Sequence, residues 1–239
     1  MADFTLIIPI HNEEAILKKN AVALHDYMKT VPLAGSFEII LSLNGCTDGS
    51  ERISKELAAE YPGIRYITIA GRGLGAAIKA AALAASYDMM MFYAIDLPFG
   101  LPVIGASIEA ALKNNGAVVI GSKGHPDSDV ERSLARALFS FTISTLNNLL
   151  FGLGVKDTQG SILFYKEPFK RFGDLMDSPG AFFQTQLLIY GRISGFKLIE
   201  IPVVLKEVRK TRFKLVGDGL KYLSSILKEK RKLIAHGIK

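Results

Sequence analysis

Phe4-Thr5-Leu6-Ile7-Ile8-Pro9 is an almost unbroken apolar run of strand length, and residues 13–29 behind it carry a helical pattern with Asn12 at the N-cap position. The same unit repeats through the first half of the chain. Strands are expected over residues 37–43, 65–70, 89–95 and 117–122, and helices over 49–61, 74–86 and 102–113. Strands that alternate regularly with helices predict a mostly parallel sheet covered on both faces, an α/β domain. Ligands of such sheets bind beyond the carboxyl ends of the strands. The loops 10–13, 43–50, 71–75, 96–101 and 122–132 are therefore where chemistry is expected.

The second half changes character. A long helix is expected over residues 132–151, a loop running into a strand over 156–165, a helix over 182–195 and a strand over 196–205. The longest uncharged stretch, residues 137–155, has 11 apolar residues among its 19, which favours an amphipathic or buried helix over a membrane span. From residue 216 onward Leu220, Leu223, Leu227 and Ile234 alternate with Lys221, Lys228, Lys230, Arg231 and Lys232, the pattern of a basic amphipathic helix. The expected organisation is one domain over 1–215 followed by that helix over 216–239.

Composition narrows the classes further. The 239 residues are 49% hydrophobic and 22% charged, which excludes disordered and collagen-like chains. Cys46 is the single cysteine, so an intrachain disulfide and a cysteine zinc cluster are excluded. Met1–Ile10 lacks the length and charged start of a signal peptide, which points to the cytoplasm. The net charge of +6 is concentrated: residues 206–239 hold 11 Lys/Arg against 3 Asp/Glu, and residues 1–205 hold 18 against 20. Such a tail fits an anionic membrane surface better than nucleic acid, because only Phe213 and Tyr222 offer aromatic rings within it.

The loops hold several polar clusters, each with an ordinary alternative. Gly71-Arg72-Gly73-Leu74-Gly75-Ala76 formally fits the dinucleotide fingerprint G-x-G-x-x-A, but in the third strand–helix unit rather than the first. An NAD-dependent oxidoreductase is thus a weak third reading. Glycines there also suit a backbone cradle for a phosphate or sugar, or a plain tight turn. Asn44–Ser50 is either a base- or ribose-binding loop or an Asx-turn before a helix. Asp96 ends an apolar strand and either binds a divalent cation or caps the turn before Pro98. Lys123, Arg132 and Arg136 offer positive charge for a phosphate, the two arginines sharing a helix face. His11, His25, His125 and His236 show no metal-ligand spacing and read as mostly solvent-facing.

Taken in order, these motifs resemble the family-2 glycosyltransferases of the GT-A (Rossmann-like) fold over nearly the whole chain. Ile7–Glu14 is similar to that family's P-x-Y-N-E opening, Asn44–Ser50 to its D-G-S-T-D-G-T loop, and Gly71–Lys79 to its glycine-rich region. Gly121-Ser122-Lys123, Arg132, Arg136, Val155–Ser161, Phe182–Leu188, Ile199–Val203 and Lys214 resemble the polyprenyl-phosphate sugar transferases, such as dolichyl-phosphate mannose and glucose synthases. The resemblance implies an enzyme of the hexosyltransferase class, EC 2.4, peripheral at the inner face of the membrane. It implies transfer of a hexose from a UDP- or GDP-sugar to a polyprenyl phosphate, with Mg²⁺ or Mn²⁺ as cofactor, bound weakly or only with the donor because Asp96 stands as a single carboxylate. It assigns Pro9, Glu13, Asn44, Asp48, Arg72, Gly73, Asp96 and Lys123 to the nucleotide sugar. It assigns Arg132, Arg136, Ser161 and Lys214 to the acceptor phosphate, Asp96 to the metal, and Asp96, Arg132 and Gln186 to catalysis.

The chain also departs from the family pattern. Ala94 replaces the first aspartate of D-x-D, Leu43 and Asn44 replace two aspartates of the nucleotide loop, and Gln184 and Gln186 stand where relatives usually carry Asp and Glu. Loss of so many carboxylates opens a second reading, a non-catalytic relative that binds nucleotide sugar or lipid phosphate. A phosphate acceptor keeps catalysis open, because its second pKa near 6 leaves it mostly a dianion and it needs no base. Gln186 in place of a base therefore predicts a phosphate rather than a hydroxyl acceptor.

Overall fold

The computed structural model describes residues 1–131, 134–205 and 215–238, without the side chains of 134–136 and 215–218. The elements in chain order are β1 (Ala2–Ile10), α1 (Glu14–Thr30), β2 (Ala34–Asn44), α2 (Ser50–Glu60), β3 (Ile64–Ile69), α3 (Leu74–Ala84), β4 (Met89–Phe92), α4 (Pro102–Lys113) and β5 (Val118–Ser122). After them come β6 (Asp129–Val130), α5 (Leu134–Phe151), β7 (Ser161–Tyr165), α6 (Glu167–Phe172), α7 (Phe182–Ile193), β8 (Leu198–Pro202), β9 (Val204–Leu205) and α8 (Leu215–Ala235).

The expected mostly parallel sheet is present, in the order β3-β2-β1-β4-β7-β5-β8. The pairs β1–β2, β2–β3, β1–β4 and β5–β8 are parallel, and β7 alone runs antiparallel, wedged between β4 and β5. β1 sits inside the sheet, which is why its sequence is apolar without alternation: it buries both faces. Leu6, Ile8 and Ile10 join the core beneath α1 and α4, while Ile7, Ile40 and Met90 join the core shared with α3, α7 and α8. Glu38 is buried at this sheet, where Thr5 Oγ1 (2.7 Å), Arg65 Nε (2.7 Å) and Ser86 N (2.6 Å) all donate to it. The first half matches the sequence expectation closely, except that the N-cap position of α1 falls on Glu13, without a side-chain capping bond, and Asn12 is a left-handed residue at φ 55°.

The C-terminal helix is less separate than expected. α8 begins at Leu215 and lies alongside α5, with Gly219 against Phe139 and Lys230 Nζ donating to Leu150 O at 2.9 Å. The pairings 139 with 219 and 150 with 230 make the two helices parallel neighbours. Tyr222, Ile226 and Leu233 of α8 enter the second core beside Ile143 of α5. Leu220, Leu227 and Ile234 face outward, as do Leu138, Phe141 and Leu149 of α5. Among the described residues no helix is long and apolar enough to cross a membrane. Arg132, Lys214 and the side chain of Arg136 lie outside the described residues.

Candidate functional site

The strand order reverses between β1 and β4, and two adjoining cavities open beyond the carboxyl ends of these strands, where an α/β sheet holds its ligands. The outer one, about 510 Å³, is lined by Pro9, His11, Glu13, Asn44, Arg72, Gly73, Leu74, Pro179 and Gly180. The inner one, about 270 Å³, shares Pro9 and Leu74 and adds Phe92, Tyr93, Ala94, Pro98, Phe99, Gln159, Gly160, Ser161 and Gln184. Five of the expected nucleotide-sugar residues, Pro9, Glu13, Asn44, Arg72 and Gly73, are thus brought together.

The outer cavity is built from the turns that end β1, β2 and β3. Asn44 is buried and joins all three: its Nδ2 donates to Ile10 O at 2.8 Å and its Oδ1 accepts from Gly73 N at 3.2 Å. Asn12 Oδ1 accepts from Thr47 N at 2.8 Å, and Glu14 Oε2 accepts from Gly49 N at 2.9 Å, tying the first turn to the second. His11 Nδ1 lies 2.9 Å from Asn44 O. A carbonyl only accepts, so Nδ1 carries a proton and donates to it. His11 lines the outer cavity, although the sequence gives it no role of its own among four histidines expected to be mostly solvent-facing. Its signal was present, because it lies in the first post-strand loop. Arg72 has no carboxylate partner among the described residues and supplies the cation of the outer cavity.

Several expected roles change. Asp48 lines neither cavity and serves the turn, accepting from Glu14 N and Ser50 N, both at 3.0 Å. Burial works to raise its carboxyl, but the hydrogen bonds from Ser50 and Glu14 outweigh it and hold the group below the usual aspartate value. Lys123 is committed to buried Asp157 at 2.6 Å and to Gln159 O at 2.9 Å, so it positions the 157–160 loop rather than lining a cavity. The N–H groups at residues 75 and 76 are not free to cradle a phosphate. The N–H groups of Gly75 and Ala76 donate to Pro179 O at 2.9 and 3.4 Å, and a Cβ on Gly75 would sit 2.2 Å from Ser178 O. Glycine there admits a neighbouring chain segment to the helix N-terminus, which removes the basis of the dinucleotide reading.

Gln186, expected to be catalytic, is fully buried on α7 and faces α8: its Nε2 donates to Glu229 Oε2 at 2.8 Å, and its Oε1 accepts from Ser178 N at 3.0 Å. Its neighbour Gln184 is the one at the inner cavity. Gln184 Oε1 and Ser161 Oγ are buried with no hydrogen-bond partner, and both residues line that cavity. Ser161 therefore belongs to the inner cavity, and its place with the acceptor-phosphate cations, which lie outside the described residues, is not supported. Tyr93 closes the far side, its hydroxyl accepting from Phe99 N at 3.0 Å and donating to Gly100 O at 2.8 Å, and burial pushes its phenol well above the usual value.

A divalent ion meets a poor donor set. Asp96 is exposed in the turn after β4 and lines neither cavity, and Ala94 occupies the inward position. Among the described residues no three His, Cys, Asp or Glu side chains gather in one place. Hard divalent cations prefer several oxygen ligands, so these residues do not fit a resident metal ion.

Residues 5–173 match the family described as glycosyl transferase family 2. Glycosyltransferase AglD of Haloferax volcanii is 26% identical over 95% of this chain and 36% of its own length, so the chain spans about a third of that relative. A dolichyl-phosphate beta-glucosyltransferase of Trichomonas vaginalis is 27% identical over 89% of this chain and 68% of its own. Polyprenol monophosphomannose synthase of Mycolicibacterium smegmatis is 25% identical over 90% and 82%. Glucosyl-3-phosphoglycerate synthase from Mycobacterium tuberculosis, crystallised with Mn²⁺, uridine diphosphate and phosphoglyceric acid, superposes with a TM-score of 0.70 at 18% identity, covering 96% of this chain and 78% of that one. The same enzyme with Mg²⁺ and uridine diphosphate gives 0.68 at 16% identity, covering 100% and 80%. At these identities the likeness establishes the GT-A fold.

Proposed function

The chain belongs to glycosyl transferase family 2, and from that premise we propose that it is a hexosyltransferase moving a hexose from a UDP- or GDP-sugar to a polyprenyl phosphate. The observation that carries this reading is the pair of joined cavities at the reversal of strand order. In the outer one Glu13, His11 and Asn44 frame the nucleoside, and Arg72 meets the diphosphate. In the inner one the unpartnered Gln184 and Ser161 take hexose hydroxyls. The curated relatives from Trichomonas vaginalis and Mycolicibacterium smegmatis, named for dolichyl-phosphate and polyprenol-phosphate products, support this acceptor class.

In the reaction, an oxygen of the acceptor phosphate forms a bond to the anomeric carbon as the bond to the nucleoside diphosphate breaks. Among the described residues the inner cavity is lined by no Asp, Glu or His, so a hydroxyl acceptor would find no general base among them. A phosphate dianion needs none. The leaving diphosphate needs positive charge, which Arg72 offers. A Mg²⁺ or Mn²⁺ ion would come with the diphosphate as its principal ligand, because Asp96 alone is a poor site. That the described residues place no carboxylate in the inner cavity also favours the second reading, a binding protein without catalysis.

A lipid-linked acceptor supports a reaction at a membrane. Exposed Leu220, Leu227 and Ile234 on α8, beside Leu138, Phe141 and Leu149 on α5, support docking on an anionic bilayer at its cytoplasmic face. Lys221, Lys228 and Arg231 are exposed between them, and Glu229 points inward.

The test supplies labelled UDP- and GDP-hexoses with polyprenyl phosphate, polyprenol or a free sugar. Transfer to the phosphate alone is expected. Equal transfer to a hydroxyl would refute the acceptor assignment, and nucleotide binding without transfer to any acceptor would establish the second reading. Flotation with vesicles containing anionic phospholipid should show retention that falls with salt and is lost on replacing Leu220, Leu227 and Ile234 with Ser. Retention by that triple variant would move the docking face elsewhere.

A further inference from the structure

Gln186 was read as the remnant of a catalytic base, yet it lies in a buried polar cluster behind the outer cavity. Gln186, Tyr190 and Glu229 are each at most 2% exposed. Glu229 accepts from Gln186 Nε2 at 2.8 Å, Tyr190 Oη at 2.6 Å and Lys232 Nζ at 3.1 Å. Lys232 also pairs with Asp177 and donates to Leu175 O at 2.8 Å. Gln186 Oε1 accepts from Ser178 N at 3.0 Å, and its Nε2 reaches Asp177 Oδ1 at 3.3 Å. The next two residues, Pro179 and Gly180, form one wall of the outer cavity, and Pro179 O is the acceptor for the first N–H groups of α3.

We propose that Gln186, Glu229 and Lys232 are positioning residues that fasten the cavity wall at 177–180 to α8, so that donor affinity depends on how α8 is seated. The proposal deepens the donor reading of the outer cavity and rests on it. An amide suits position 186 because it donates to Glu229 and accepts from Ser178 at once. A second carboxylate there would set two like charges together out of water, where the charged form of each is disfavoured. The fully buried carboxylate of this cluster therefore resides on α8, with Asp177 the more exposed one on the wall itself, and the helix whose outer face is apolar and basic holds the donor wall with its inner face. Removing either partner leaves a buried polar group unsatisfied, while exchanging the two residues keeps the 186–229 hydrogen bond and those from Ser178 N and Tyr190 Oη, and gives up those of Lys232 Nζ to 229 and of 186 to Asp177 and Leu175.

The experiment is a swap cycle read by donor and acceptor separately. Gln186→Glu is expected to weaken UDP or GDP binding roughly tenfold at neutral pH, in line with coupling seen between buried contacting residues. The double exchange Gln186→Glu with Glu229→Gln restores the 186–229 pair but not the bonds to Lys232 and Asp177, and is expected to recover about half of that loss on a logarithmic scale. Apparent affinity for polyprenyl phosphate should change in neither. Hydrogen exchange at residues 177–180 should rise in the single variant and fall partway back in the double one, a readout that needs no ligand. Should Gln186→Glu fail to fold, Lys232→Met against Lys232→Arg replaces it, because Lys232 is only partly buried, and the arginine should keep exchange low. Wild-type protein that binds neither nucleotide would remove the donor reading and leave hydrogen exchange to decide the brace. Unchanged exchange and affinity in Gln186→Glu and Lys232→Met, or no rescue by the double exchange, would overturn the proposal.

Discussion

The outer cavity has two walls made in different ways. One wall is the turns after β1, β2 and β3, stapled by short polar side chains within the first 73 residues: Asn12 to Thr47, Glu14 to Gly49, Asn44 to Gly73. The opposite wall is the single segment 177–180, held from α3, α7 and α8 by partners up to 100 residues or more away in sequence, such as Gly75 with Pro179. The first wall follows from its own loop sequences. The second has no structure that its own residues specify, so its position is decided by whatever packs against it.

Gly75→Ala is the harshest way to break that contrast. The new Cβ would meet Ser178 O at 2.2 Å and Phe183 Cβ at 2.6 Å. Overpacking against backbone is expected to cost about 3 kcal/mol, against a helix-propensity gain of about 1 kcal/mol. Thermal unfolding should show the loss, and a stabilised variant would mean that the second wall yields freely. Asn44→Ala strikes the first wall and leaves the Gly73 N–H and the Ile10 carbonyl without their partner, at a cost of about 2 kcal/mol. Asn44→Asp should do no better, because a carboxylate cannot donate to Ile10 O. Denaturant midpoints of the two variants decide this.

Arg72→Ala should leave stability unchanged and weaken nucleoside diphosphate binding by about tenfold, as expected for one lost charge-assisted contact. Titration calorimetry checks it, and equal binding would move the diphosphate away from Arg72. The smallest effect sharpens the comparison. Asp48 serves the first wall and Asp177 the second. In both, burial acts to raise the carboxyl and hydrogen bonds outweigh it, from Ser50 and Glu14 for Asp48 and from Lys232 and Gln186 for Asp177. Folded values below the unfolded 3.8 mean that each contributes stability fully above that pH and loses it as pH falls through the folded value. Salt should weaken the Asp177 contribution, which leans on the Lys232 charge, and spare that of Asp48, held by N–H groups and a hydroxyl. Hydrogen exchange at residues 48–50 and 177–180, in low and high salt, reports each wall.

Much of this was legible beforehand. The β–α units of the first half were read within a few residues, because buried parallel strands are continuous apolar runs and the helices keep their own periodicity. Of the loops named for chemistry, 10–13, 43–50 and 71–75 line the outer cavity and 96–101 the inner one, while no described residue of 122–132 lines either and the 179–180 wall was not named. What was read wrongly shares one cause. Asp48, Lys123 and Gln186 have the chemistry of site residues, and the sequence does not say whether a carboxylate, ammonium or amide meets a ligand or a neighbour. Gln184 and Gln186 sit two apart on one helix, and only the packing of α7 turns the first to the inner cavity and the second to α8.

By itself the sequence determined the α/β alternation, the placement of polar loops at the strand ends, and the amphipathic character of the last helix, all of which depend on residues near one another in the chain. The tertiary structure decided that β7 runs antiparallel between β4 and β5, that α8 is part of the core, and that the Pro179 carbonyl, not a phosphate, lies at the N-terminus of α3. Each of those is a pairing between distant segments. Backbone N–H groups donate to whichever acceptor the packing brings within 3 Å, and that choice is made by the burial of apolar faces over the whole chain.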